Sequence, residues 1–367
     1  ASKWNLGEIY LSREIPEKAE IIFNELYNND KNNNEAKYNL AVSLQKQKKY
    51  IEALNFYDEV KKDEKLAAKA LFNSGNIFKE KKESKKAEEC YIEALKYDSG
   101  NCEIWNNLGL VQIETFEYGK AENSFRNALH LKPFYTDAIS NLAALYYEME
   151  KPDEAIKTYN SAIEISPEND LHFNKALALL TKGNYEEGFK EYEYRDSKLK
   201  NDNRYKKIWN GESLKNKRIL VADEQGIGDA IQFLRFLKEL KQRGAYVIFH
   251  CRKSLYKFVE RIEWIDETVN LQEEYGNYDF AVSLLSLPHL LKINEENIPS
   301  ENPYIKAGKI NKFEQIIKKY NGLKIGIAWR GNPEHKFDYK RSIGIEKFRT
   351  ITNIEGISIF SLQLSLS

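Results

Sequence analysis

The chain has 367 residues, 42% apolar and 31% charged, a length that implies about two or three domains, each able to bury a core. Its 56 basic residues cancel 56 acidic ones, so bulk charge gives no reason for a nucleic-acid or membrane partner. No apolar run approaches the roughly 18 residues of a membrane span, and Cys90, Cys102 and Cys251, an odd number in no metal-like spacing, point to a reducing cytoplasm.

From the first residues a period is visible. Starting at Asn5-Leu6-Gly7, a step of 34 residues reaches Asn39-Leu40-Ala41, Asn73-Ser74-Gly75, Asn107-Leu108-Gly109 and Asn141-Leu142-Ala143, and a step of 33 reaches Asn174-Lys175-Ala176. Twelve residues after each small residue stands another, at Ala19, Ala53, Ala87, Ala121, Ala155 and Gly188. Four further on stands a ring, at Phe23, Tyr57, Tyr91, Phe125, Tyr159 and Tyr192. These spacings predict two helices per unit, with small residues letting them approach and the ring filling the space beside them. Pro133 and Pro167 close two units, as expected after a helix C-terminus.

This register closely resembles the tetratricopeptide repeat family. The resemblance implies an all-α superhelical solenoid of six repeats over residues 1–195, with a groove for a protein or peptide. The sixth unit departs from the pattern at Lys175, where the other units mostly carry Leu, and at Arg195, where a small apolar residue is usual. It is read as a junction.

One residue before the packed Leu, Asn5, Asn39, Asn73, Asn107, Asn141 and Asn174 recur once per unit and are expected to face the concave side. An amide both donates and accepts, so such a column suits the backbone of an extended peptide. In the tetratricopeptide superhelix of a nucleocytoplasmic sugar transferase, a similar ladder holds protein substrates. Hydrogen bonds between the helices themselves are the alternative use of these amides.

A polar stretch then reads as a linker, residues 196–215, ending past Trp209-Asn210-Gly211. Beyond it the periodicity changes. A buried-strand run at Arg218 to Asp223 and further strands at Tyr246 to Phe249, Tyr278 to Ser283, Lys324 to Trp329 and Ile357 to Ser361 alternate with helices, which predicts a parallel sheet covered on both faces. Ligands on such sheets sit at the strand C-terminal ends, where the Glu224-Gln225-Gly226-Ile227-Gly228 turn and the segment after Trp329 fall.

A dinucleotide fingerprint would need glycine where Ile231 stands and an acid where His250 stands, and no P-loop lysine follows the glycines, so neither NAD nor an ATPase is expected. The five histidines, His130, His172, His250, His289 and His335, have no metal-ligand spacing, and no cofactor or metal is predicted.

Trp209-Asn210-Gly211, Glu224 to Asp229 with Ile231-Gln232-Phe233, Ile327-Ala328-Trp329 with Gly331-Asn332-Pro333, and Arg341-Ser342-Ile343 together resemble the heptosyltransferase-like domain that follows tetratricopeptide repeats in many bacterial proteins. The resemblance implies a GT-B type, family 9-like glycosyltransferase with two Rossmann-like halves, residues 216–308 and an incomplete 309–367. The first would take the acceptor and the second a nucleotide-sugar.

On that basis Asp229 is the candidate general base, with first-turn capping as its alternative role. Gly226, Gly228, Gln232, Asn332 and Arg341 are candidate substrate contacts, Arg341 with Lys340 offsetting diphosphate charge unless it is a solvated surface cation. Gln225 would orient the acceptor, His335 shapes its loop, and Trp329 packs in the core.

The C-terminal half stops after its second strand, so this chain by itself is not expected to complete a two-half transferase. Because it starts inside a repeat and ends on strand-like residues 361–367, material is expected to be missing at both ends. Either a longer protein carries the enzyme, or a degenerate α/β domain persists beside a tetratricopeptide interaction scaffold.

Overall fold

The computed structural model describes residues 3–197, 199, 202–301, 304–305, 311–331 and 342–363. It divides into two compact units, residues 1–300 and 301–367.

Through Glu191 the first unit is helical: α1 Lys3–Ser12, α2 Pro16–Asn29, α3 Asn34–Lys46, α4 Tyr50–Val60, α5 Ala67–Glu80, α6 Ser84–Tyr97, α7 Cys102–Glu114, α8 Tyr118–Leu131, α9 Thr136–Glu148, α10 Pro152–Ile165, α11 Asn169–Lys182 and α12 Tyr185–Glu191. Local chemistry sets many of these ends. Asn33 accepts from the Ala36 N–H at 2.9 Å and Asn101 from Glu103 and Ile104 at 3.0 and 3.3 Å, each supplying an oxygen to otherwise orphaned first-turn donors. Pro16 and Pro152 open α2 and α10, where the missing N–H loses nothing.

The first helix of each hairpin stops in the same way. Glu14, Lys48, Lys82, Phe116 and Glu150, spaced like the repeats, all have φ between 54° and 62°, and Gly183 takes the sixth place at 87°. The residue after each donates back five positions, as Ile15 to Tyr10, Lys49 to Leu44, Glu83 to Phe78, Glu117 to Gln112, Lys151 to Tyr146 and Asn184 to Leu179, at 2.8 to 3.0 Å. This left-handed closure satisfies carbonyls that the helix end leaves open. Five of the six turns achieve it without glycine.

The periodic small residues and rings make the solenoid core. Ala19, Ala53, Ala87, Ala121 and Ala155 are fully buried, and Phe23, Tyr57, Tyr91, Phe125 and Tyr159 nearly so. A Cβ added to Gly75 would lie 2.5 Å from Tyr91 Cε1, and one on Gly109 2.6 Å from Phe125 Cε1, so these rings lie directly against bare backbone. The sixth unit differs: Tyr192 sits in a 3-10 turn, Tyr192–Tyr194, is half-buried, and donates to Gln225 Oε1 at 3.2 Å. Lys175 also fits its surroundings, with Nζ 3.0 Å from Glu187 and 3.1 Å from Glu191. Burial pulls its pKa down, but the two carboxylates more than reverse that, and it ends above the ordinary lysine value.

The rest of this unit is built on four parallel strands, β1 Arg218–Ala222, β2 Tyr246–Cys251, β3 Glu267–Asn270 and β4 Phe280–Ser283, in the order β3-β2-β1-β4. Apolar runs in the sequence predict three of them; β3, with two half-buried and two buried residues, is not among those expected. Within the stretch expected to link the two parts, Ser197, Leu199, Trp209 and Leu214 are buried. Ile208 bridges Ala281, and the Trp209 N–H donates to the Ala281 carbonyl at 2.8 Å, so this segment runs along the free edge of β4.

In the second unit β5 Leu323–Ile327 pairs in parallel with β6 Ile357–Ser361. Gly322, at φ +76°, is required there, since a Cβ would fall 2.0 Å from the Gly356 carbonyl oxygen. Trp329 was expected to end a buried strand. It lies past β5 and is half-buried, because the strand pairing ends at Ile327 with Ser361.

Candidate functional site

Two places gather the residues singled out in the sequence: the first-helix face of the solenoid, and the C-terminal ends of the β1 and β4 strands. On the solenoid, five of the six asparagines are half-buried and Asn5 is exposed. Three of them tie one repeat to the one before. Asn73 donates to the Tyr38 hydroxyl at 3.0 Å, Asn107 to Asn76 Oδ1 at 3.0 Å and Asn141 to Asn106 Oδ1 at 2.9 Å. The Tyr91 hydroxyl also donates to Asn76 Oδ1, at 2.7 Å, so the core ring and the ladder share an acceptor.

Among the described residues, the side-chain amides of Asn39 and Asn174 have no hydrogen-bond partner. Beside Asn73 a cavity of about 370 Å³ opens between α3 and α5, lined by Val42, Gln45, Lys46, Lys48, Tyr50 and Glu80. A hydrogen bond to Glu80 pushes the Tyr50 phenol up to about 12, so it stays a neutral donor at any ordinary pH.

In the sheet, β1 has β2 on one side and β4 on the other, so consecutive strands leave it in opposite directions and open a crevice at their C-terminal ends. Gly226, Ile227, Gly228 and Asp229 lie there, all exposed, as the start of the helix Ile227–Phe233. Asp229 Oδ2 accepts from the Gly226 N–H at 3.1 Å and so caps its own helix. A Cβ on Gly226 would sit 2.8 Å from that oxygen, whereas one on Gly228 would meet nothing within 4 Å. Gln232 is exposed. Asn332 and Arg341, with Pro333, His335 and Lys340, lie outside the described residues.

Beneath this loop is a polar cluster that motif reading does not find. The Arg195 side chain, 1% exposed, donates from Nε and Nη2 to Glu224 Oε1 at 2.8 and 2.5 Å, and from Nη2 to Ser283 and Ser286 at 3.0 and 2.9 Å. Nη1 reaches Glu193 Oε1 at 2.8 Å, and the Ser197 hydroxyl donates to Glu224 Oε2 at 2.9 Å. Burial lowers the pKa of Arg195, and Glu224 and Glu193 outweigh it, leaving the guanidinium firmly charged.

Next to it the fully buried Asp223 carboxylate receives Arg252 Nε at 2.6 Å and Nη2 at 3.1 Å. Both acids at the end of β1 are thus neutralised from inside the protein. The signal in the sequence was Arg195 itself, a charged residue at a small apolar position of the repeat.

His250 ends within β2, buried, with its two nitrogens 3.1 Å from the Tyr205 hydroxyl and 2.9 Å from the Asn270 carbonyl. Burial pushes the pKa of the imidazole down, against the opposing pull of the Asn270 and Glu273 carbonyls. Cys251 and Cys90 are pushed up by burial to about 12 and about 11, which makes both thiols poor nucleophiles. No group of three or more metal-ligating side chains occurs among the described residues.

Models of the tetratricopeptide repeat match residues 38–60, 68–101, 103–135 and 136–169. The N-terminal solenoid is built of tetratricopeptide repeats. Protein FlbA of Caulobacter vibrioides is 22% identical over 192 residues, 45% of this chain; the match spans 32% of FlbA. Solved tetratricopeptide structures are similar to the repeat array. YrrB, described as having an unusual peptide-binding site, is 22% identical with a TM-score of 0.41, over 47% of this chain and 89% of its own. MamA is 22% identical at 0.40, over 42% and 91%. A tetratricopeptide repeat protein of Parabacteroides merdae is 20% identical at 0.45, over 52% and 76%. No helix among the described residues is long and apolar enough to cross a membrane.

Proposed function

We propose that the tetratricopeptide array is a protein-interaction module that holds an extended polypeptide along its first-helix face. The observation that carries this reading is the cavity on this face, lined by Asn73 of the recurring asparagines and by neutral Tyr50. Asn5, Asn39, Asn73, Asn107, Asn141 and Asn174 are the proposed peptide contacts. Packing bonds use one N–H of Asn73, Asn107 and Asn141, and an amide carries a second N–H and a carbonyl with two lone pairs.

A peptide-display selection against the array tests it. Selected peptides should lose at least about tenfold in affinity, roughly 1.4 kcal/mol, when Asn39 and Asn174 become Ala, with helicity unchanged. Equal binding by the variant would reject the ladder.

A second reading rests on the loop at the crevice between β1 and β4. In it, residues 216–308 and the incomplete 309–367 are halves of a glycosyltransferase-like domain that in a longer parent transfers sugar from a nucleotide-sugar to a protein or glycan, with residues 1–195 presenting the acceptor. Asp229 would be the base, with Gly226, Gly228, Gln232, Asn332 and Arg341 contacting substrate. Its Oδ2 already caps Gly226, so base catalysis would use the other oxygen.

A nucleotide-sugar at a hundred times its dissociation constant would add about 2.7 kcal/mol to stability. A thermal-shift panel without any response would leave the α/β part as a scaffold. The cytoplasm is the proposed compartment, in keeping with three unpaired cysteines.

A further inference from the structure

A further concave feature of the first unit is lined by none of the ladder asparagines and none of the residues 223–229 at the crevice. Between α12 and the turn at residues 288–293 is a cavity of about 720 Å³, lined by Glu186 and Lys190 from the repeat array, Asn210, Gly211 and Arg243, and the run from Pro288 to Ile293. Its volume is that of a small-molecule site, and its position at a seam between two substructures is a common one.

The lining is unbalanced in charge. Lys190, Arg243 and Lys292 are basic, His289 stands among them, and Glu186 is the one acid. Among the described residues none of these five side chains has a hydrogen-bond or ion-pair partner. Elsewhere in this unit Arg195, Arg204, Arg218 and Arg252 are paired with carboxylates.

Three exposed cations around one concavity raise the local positive potential and favour an anion there. Buried Pro288, Leu291 and Ile293 supply an apolar wall. Gly211, at φ +101° with open space around its Cβ position, turns the chain beside the opening without filling it.

We propose that this seam binds a phosphorylated small molecule, with the phosphate held by Arg243, Lys190 and Lys292 and its organic part against Pro288 and Ile293. A guanidinium and two ammonium groups match a phosphate dianion better than a single carboxylate. Because Lys190 belongs to the last repeat and Arg243 to the sheet layer, an occupied site ties the array to the sheet.

The test uses the full chain with inorganic pyrophosphate and adenosine monophosphate as probes, followed by calorimetry at low salt. Adenosine monophosphate should bind more tightly than pyrophosphate. Arg243→Ala with Lys292→Ala should weaken it by at least tenfold, and Glu186→Gln should tighten it severalfold, an effect that misfolding cannot imitate. Absence of binding by either probe at millimolar concentration, or equal affinity in wild type and all variants, overturns the proposal.

Discussion

Arg195, at the end of the sixth repeat, and Glu224, just beyond β1, meet through two hydrogen bonds at 2.5 and 2.8 Å, with both side chains almost wholly excluded from solvent. The pair joins a helical array to a parallel sheet by a charge contact at the place where such sheets ordinarily leave room for a ligand. Removing either partner would strand a buried charge. Arg195→Ala or Glu224→Ala should therefore destabilise the first unit by about 3–5 kcal/mol, and Arg195→Ala with Glu224→Ala by clearly less than the sum. Urea unfolding of the single and double variants measures this; simple additivity would contradict a coupled pair.

The core rings make the repeat array intolerant of one methyl group at chosen places. Gly75→Ala puts a carbon 2.5 Å from Tyr91, whose hydroxyl is held by Asn76 at 2.7 Å, so the ring has little freedom to retreat. A loss of about 1–3 kcal/mol is expected from overpacking. Gly119→Ala is the control, because nothing lies within 4 Å of its Cβ position; its effect should stay within about 0.5 kcal/mol. Thermal melts of the two variants should differ accordingly.

The hairpin turns hold the opposite opportunity. Lys82 and Glu150 sit at φ 60° and 58°, a region that penalises side chains with a Cβ. Changing either to Gly should stabilise the array by about 0.5–1 kcal/mol, the relief of strain being partly offset by glycine's greater freedom when unfolded. Denaturant midpoints that fall in both variants would refute the assignment of strain.

Acid should weaken the sheet through His250. Its pKa in the folded protein is lowered from the ordinary value of 6.5, so below that pH the unfolded chain binds a proton that the folded chain resists. The contribution is fully present above pH 6.5 and is lost as pH falls below it. Subtracting the unfolding free energies of His250→Asn from those of wild type across pH 5 to 8 should leave a difference that declines below about 6.5. A flat difference would show that His250 does not resist protonation.

The repeat array was legible because each unit reuses one solution: small residue, small residue, ring, at spacings set by helical geometry. Asn107 in the ladder and Gly75 beneath Tyr91 are readable for the same reason. The left-handed turns were not, since Lys48, Lys82, Phe116 and Glu150 look unremarkable there and only backbone closure explains them. Strand β3 escaped notice because four residues, Glu-Thr-Val-Asn, carry too little apolar pattern to stand out.

What the sequence determined by itself was the helical hairpin array and the parallel strands, because periodic apolar residues have few ways to leave water. Tertiary structure alone decided how polar groups are satisfied: Arg195 with Glu224, Arg252 with Asp223, Asn107 with Asn76, and Lys190 with no partner among the described residues. Apolar burial follows from local periodicity, whereas a hydrogen bond or ion pair depends on atoms brought within about 3 Å from distant parts of the chain.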